Sequence, residues 1–244
     1  MIKHVVRIFI IILFVFVLTG IAFGTEFTQS FNAKEGFTLK LPDKWVQIPG
    51  KVLDEQSKKL QQVAPDEEKL LYDYGFQLSG AGHWLTCPYI LICVNKTGRI
   101  PEGKMKRITN KKIESKPIDE KISGIPNTAV GEVLYDSDDH TLWMTFLADA
   151  EKVKGLIATK LTQKGCIQIV CYANDKDFNE YRNLFEGIVK NIYLSEELEY
   201  KSRITDSIPI ISQINFDKLL SHVFTSALLI GAIWLLLTRI KKKS

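Results

Sequence analysis

The chain is poor in the residues that usually carry chemistry. It has four cysteines and four histidines in 244 residues, and no Cys-x-x-Cys pair. So few cysteines cannot form a disulfide scaffold, and zinc-ribbon or thioredoxin-like chemistry has no ligand set. The sequence holds no Gly-x-Ser-x-Gly, no Walker motif, and only Ser79-Gly80-Ala81-Gly82 in place of a Rossmann fingerprint. Eight prolines and 15 glycines exclude collagen-like or proline-rich material. These absences leave catalytic, cofactor-binding and metal-ligating residues unassigned, and no cofactor is expected.

What the chain does have is apolar residues concentrated at its two ends. Apolar residues make up 45% of the sequence, and mean hydropathy is near zero although 25% of residues are charged. Residues 1–24 begin with Lys3 and Arg7, continue through the uncharged run Ile8–Leu18, and end on Ala22 and Gly24. A basic start, an apolar centre and small residues at the close predict a secretory signal peptide, cleaved after Gly24 or retained as an anchor.

At the other end, Leu219 to Thr238 is a run of twenty residues without a formal charge. As a helix it would cover about 30 Å, the thickness of a bilayer's hydrocarbon core. Arg239, Lys241, Lys242 and Lys243 follow it, and Trp234 sits near that basic end, where interfacial aromatics collect. The expectation is a single-pass transmembrane helix over 218–239 with a basic cytoplasmic tail at 240–244. Basic flanks at both termini place the intervening segment outside the cytoplasm. It divides into an extracytoplasmic domain at 25–197 and a juxtamembrane linker at 198–217.

Charge supports that reading. Seven of the 32 Lys and Arg lie in the two ends, leaving 25 against 28 Asp and Glu between residues 25 and 217. The basic balance therefore belongs to membrane topology, and no nucleic-acid partner is expected. Lys96–Lys121 is locally basic but contains no aromatic residue for base stacking.

Between the ends, apolar spacing predicts a mixed domain. Phe27–Phe31 and Phe37–Leu41 alternate with period two around Gly36, a hairpin. Pro42 to Trp45 ends its second strand. Leu53–Val63 is an amphipathic helix stopped by Pro65. Leu71–Leu78 and Tyr89–Val94 are strands, and Ile100–Ser115, with Pro101 at its start, is a polar helix. Ala129–Tyr135, Thr141–Leu147, Gly155–Leu161 and Cys166–Tyr172 form an antiparallel meander with tight polar turns. Asp177–Leu194 closes as a helix whose stripe of Phe178, Tyr181, Phe185, Ile188, Val189 and Ile192 packs on the sheet. The fold class is α+β, an antiparallel sheet flanked by helices.

The entry Gly36-Phe37-Thr38-Leu39-Lys40-Leu41-Pro42-Asp43-Lys44-Trp45 resembles the opening of PsbP-like and DcrB-like domains. The closing strand and the Phe178-x-x-Tyr181-x-x-Leu184-Phe185-x-x-Ile188 helix are similar to the end of that family. The resemblance spans residues 27 to 195 and implies a central antiparallel sheet with helices on both sides. It implies extracytoplasmic binding or assembly roles and carries no shared catalytic residues. An added C-terminal transmembrane helix departs from the family's soluble and lipoprotein forms.

Candidate chemistry reduces to a few positions. Cys166 and Cys171 are five apart on one strand, so they face opposite sides and cannot bridge each other. Cys87 and Cys93 are likewise too distant in extended chain, which leaves at most one cross-strand bridge and otherwise buried thiols. His83, near Cys87, and His140, beside Asp136, Asp138 and Asp139, are the candidates for a membrane-tethered hydrolase. The Asp cluster lacks the glycine and closing glutamate of an EF-hand and reads as an acidic turn. Asn95-Lys96-Thr97 matches a glycosylation acceptor. The function expected is a membrane-anchored, non-enzymatic binding or assembly module. Its partners are the lipid bilayer, through the C-terminal helix, and an envelope or membrane protein.

Overall fold

A computed structural model describes residues 26–63, 72–110, 128–148, 152–203 and 206. The expected signal peptide, the transmembrane run and the basic tail lie outside those residues. Among the described residues no helix is long and apolar enough to cross a membrane.

Seven strands make one antiparallel sheet in the order β3-β4-β5-β9-β8-β7-β6. They are β3 (Trp45–Gln47), β4 (Tyr74–Leu78), β5 (Tyr89–Asn95), β6 (Thr128–Asp136), β7 (Thr141–Ala148), β8 (Val153–Thr162) and β9 (Gly165–Asn174). A smaller antiparallel sheet runs β1-β2-β10, from β1 (Gln29–Asn32), β2 (Phe37–Leu41) and β10 (Ile192–Leu194). Three helices complete the body: α1 (Gly50–Val63), α2 (Glu102–Asn110) and α3 (Phe178–Lys190).

The large sheet is covered on both faces, which explains why its central strand β9 is buried along almost its whole length. Ile167, Ile169 and Cys171 point to one face, where they join Phe178, Phe185, Ile188 and Val189 of α3 and Phe37 and Leu39 of the small sheet. Val170 and Tyr172 point to the other, where Ile48, Leu53 and Tyr72 pack. Cys166 shares that second face further along, under Met105 of α2 and Tyr200. A strand with two buried faces loses the polar-apolar alternation that one solvated face would impose.

The observed architecture is the expected α+β antiparallel sheet with helices on both sides. It differs from the sequence reading at two short strands. Trp45 does not merely end the preceding strand; Trp45–Gln47 pairs with Gln77, Leu78 and Phe76 of β4. The closing helix stops at Lys190 rather than Leu194. Asn191 Nδ2 and N–H both donate to Gly187 O and cap the helix, and Ile192 then turns into the core beside Leu39.

One tight turn has a sharp steric requirement. Gly165, with φ of 150°, joins β8 to β9, and a Cβ there would run into the Asn95 backbone carbonyl. Gly165→Ala is expected to lower stability by about 2 kcal/mol, through strain and a displaced β5 end. Gly50→Ala, where an added methyl meets nothing within 4 Å, should stay within about 0.5 kcal/mol of the parent. Thermal melts of the two variants compare them directly; equal melting would contradict the turn geometry.

Candidate functional site

The residues that end β5 and β6, begin β7 and form the β8–β9 turn gather at one end of the large sheet, and the chain after β10 crosses that end. This strap, residues 195–203 with Asp206, is built by a short period-two pattern. Leu198 and Tyr200 are buried while Glu199 between them is exposed. Gln163 N–H donates to Leu198 O at 3.0 Å, tying the strap to the β8–β9 turn.

The strap is clamped further along by Arg99. Its guanidinium binds the Asp206 carboxylate through two parallel hydrogen bonds, Nη1 to Oδ1 at 2.7 Å and Nη2 to Oδ2, and Nη2 also donates to Lys201 O at 2.9 Å. Only 13% of the Arg99 side chain and 6% of the Asp206 side chain is exposed. The guanidinium lies 4.5 Å over the Tyr200 ring, and the His140 ring lies 4.7 Å from the same tyrosine. Tyr200 OH donates to Ile100 O at 2.9 Å, and Ser202 Oγ donates to Glu102 at 3.2 Å. Gly103 lies so close to the Asp206 carbonyl that a side chain there would displace the strap. The packed body therefore continues past Glu197, through part of the segment read from sequence as linker.

The clamp sets the titration of its members. The hydrogen bonds from Arg99 hold the Asp206 carboxyl below its ordinary 3.8, and the bonds to Asp206 raise Arg99. Burial pushes the Tyr200 phenol up to about 12. A depressed carboxylate contributes stability that is complete above its unfolded value and is lost as pH falls through its folded value. The strap is therefore expected to stay docked in mildly acidic buffer and to loosen only below the ordinary carboxylate range of about 3.9. Tryptic-site hydrogen exchange across Lys201–Arg203, followed against pH, checks this; loosening at neutral pH would contradict it.

Beside the strap is a groove of about 620 Å³ with Lys34, Lys96 and Lys164 among its lining residues, together with Val94, Ile167 and Leu198. Glu35, 4% exposed in its side chain, also lines it and accepts a hydrogen bond from Tyr74 OH. Burial and that bond push the Tyr74 phenol up to about 12. Lys164 pairs with Glu197 at 2.8 Å across the opening. Mixed charge among apolar side chains suits a peptide or protein surface. A second groove, about 290 Å³, lies between α3 and β6–β7, where Leu134 is 56% exposed.

The two candidate histidines are not brought together. His83 lies in the β4–β5 connection, at the end where Tyr89 faces Tyr172 and Gly155 faces Phe146. His140 precedes Thr141, at the opposite end, where Thr141 faces Lys160 and Lys160 faces Ile167. His83 is exposed, and its carbonyl accepts from Gln77 Nε2 and Thr86 Oγ1. The ring of His140 packs on Tyr200, with Nδ1 3.4 Å from Tyr135 OH. Asp136 is used in turn formation, accepting from Asp138 and Asp139 N–H, and Asp139 pairs with buried Lys160. Among the described residues no three His, Cys, Asp or Glu side chains converge to hold a metal ion.

No disulfide joins the four cysteines. Cys93 faces Gln168, and Cys166 faces Asn95, so the two thiols share a sheet face but sit two residues out of register. Burial pushes Cys93 up to about 11 and Cys166 up to about 12, and raises Cys171 further still. Maleimide treatment of the native protein near neutral pH is expected to leave Cys93, Cys166 and Cys171 unmodified within minutes, because thiolate is the reactive form and burial disfavours it. Intact mass and peptide mapping read this; a fast adduct on any of the three would contradict it.

Sequence reasoning missed Arg99, Tyr200 and Asp206. The period-two spacing of Leu198 and Tyr200, and a lone acid in the isoleucine-rich stretch 204–214, were the available signals.

No protein-family model matches the chain, and no curated protein matches it in sequence. Among solved structures it is similar to the solution structure of cyanobacterial PsbP (CyanoP) from Synechocystis sp. PCC 6803, at 9% identity and a TM-score of 0.39. The match covers 72% of this chain and 99% of that one.

Proposed function

We propose that this protein is a membrane-anchored extracytoplasmic module that binds or assembles with an envelope or membrane protein and performs no catalysis. The sequence resemblance to PsbP-like and DcrB-like domains supports the module type, and the uncharged run Leu219–Thr238 with its basic flank supports the anchor. One observation carries the reading: the chain is clamped to the domain as far as Asp206. Residues 207–218 alone separate that clamp from the apolar run. As a flexible coil they would span about 20 Å on average, so the groove beside the strap works close to the bilayer. The separation of His83 from His140 removes support from a tethered hydrolase that would join them.

Fusions after Asn215 to a periplasm-active and a cytoplasm-active reporter test the topology. Activity of the periplasmic reporter alone is expected. Activity of the cytoplasmic reporter would overturn the reading.

A further inference from the structure

Where the end of the strap, residues 201–203 with Asp206, meets α2, five cations stand against two acids, the opposite sign from the domain as a whole. Between residues 25 and 217 acids outnumber bases, 28 to 25. On α2, Met105 is buried while Lys106 and Arg107 are exposed and Lys104 is half-buried. Lys104 is lowered from its ordinary value by burial and by the nearby Arg107, two like charges held close. The strap adds Lys201 and Arg203, both exposed, on either side of Ser202.

Two contacts bring together the segments that carry these five cations. Ser202 bonds to Glu102 at the first turn of α2, and Asp206 O packs against Gly103 one residue on. The strap therefore runs across the start of the helix, with Lys201 and Arg203 beside it. Two carboxylates lie inside this surface: buried Glu102 offsets Lys106, paired at 2.9 Å, and Asp206 is taken by Arg99, so the other four cations are in excess. Glu196, Glu197 and Glu199, all exposed, lie earlier on the strap.

We propose that this face, Lys104, Lys106, Arg107, Lys201 and Arg203, rests on the headgroups of an anionic lipid bilayer. It rests on the proposed anchor, which would begin within about 20 Å of Asp206 and bring the face to the bilayer surface. Cations held near an anionic surface add attraction that is lost beyond a Debye length and screened by salt. Clamping by Arg99 holds the strap that carries Lys201 and Arg203 against the start of α2. A bilayer seated on this face orients the groove along the membrane plane, where a neighbouring membrane protein can reach it.

The test uses the full chain reconstituted in nanodiscs of phosphatidylglycerol or of phosphatidylcholine. Acylation of each lysine by an amine-reactive ester is read by mass spectrometry. Lys104, Lys106 and Lys201 are expected to react at least about fivefold more slowly in phosphatidylglycerol. High salt should erase the difference, and Lys176, exposed in the β9–α3 turn at the other end of the sheet, should react alike in both. In the K104Q/K106Q/R107Q variant, protection of Lys201 should fall. Equal rates in the two lipids with the chain inserted would overturn the lipid face while leaving the anchor intact. Protection in both lipids that survives high salt would overturn it in favour of a protein contact. Failure of the chain to enter the discs would overturn the anchor and the lipid face together.

Discussion

Arg99→Ala is expected to free the strap and to cost about 3 kcal/mol of stability, because it leaves the Asp206 carboxylate buried without its partner. The loss has three parts in the structure: the bidentate pair, the bond to Lys201 O and the guanidinium over the Tyr200 ring. For a domain of this size that corresponds to a fall in melting temperature of about 10 °C. Trypsin should then cut at Lys201 and Arg203 much faster than in the parent. An Arg99→Ala/Asp206→Ala double variant should lose less than the sum of the two single changes, since it removes the stranded charge with its partner. An unchanged melting temperature and an unchanged tryptic pattern would show that the strap is held by something else.

Phe185→Ala should be the more damaging change, at about 4 kcal/mol. Phe185 is fully buried on α3, between Tyr181 one turn earlier and Ile188 and Val189 one turn later, against the sheet face of Ile167, Ile169 and Cys171. Truncating it removes an aromatic side chain from a site walled by two layers, the helix and a sheet already covered on its other side. Neither layer can collapse without dragging β2 or β9, so most of the cavity should persist. The expected readout is a lower urea midpoint with an unchanged m-value. A loss below about 1 kcal/mol would mean that α3 repacks freely, against the closed two-layer core described here.

Much of this architecture is legible in the sequence, for a physical reason. Phe37–Leu41 alternates because one side of β2 packs into the core and the other does not, with the pattern buried, half-buried, buried. The strands β7, β8 and β9 are long and apolar; Asp136–Asp139 leads from β6 into β7 and Gln163–Lys164 joins β8 to β9, turns whose chemistry is local. The two misread strands are three residues each, too short for any period to register. Trp45–Gln47 is a strand because β4 lies beside it, and Ile192–Leu194 because β2 does. Their partners are some thirty to 160 residues away, so pairing and not propensity decides them. The strap failed to register for the same reason. Arg99 and Asp206 are 107 residues apart, and each alone reads as a surface charge. The groove is assembled from the β1–β2 turn, the end of β5, the β8–β9 turn and the strap, and no single stretch announces it.

Treating intact spheroplasts with trypsin, then blotting for the domain and for the basic tail, tests the central claim most directly. A domain anchored outside the cytoplasmic membrane, with its chain clamped up to Asp206, should be cut free from the tail without lysis. The cut should come faster in the Arg99→Ala chain, where Lys201 and Arg203 are released. A domain that remains joined to its tail until the cells are broken, in parent and variant alike, would contradict the account.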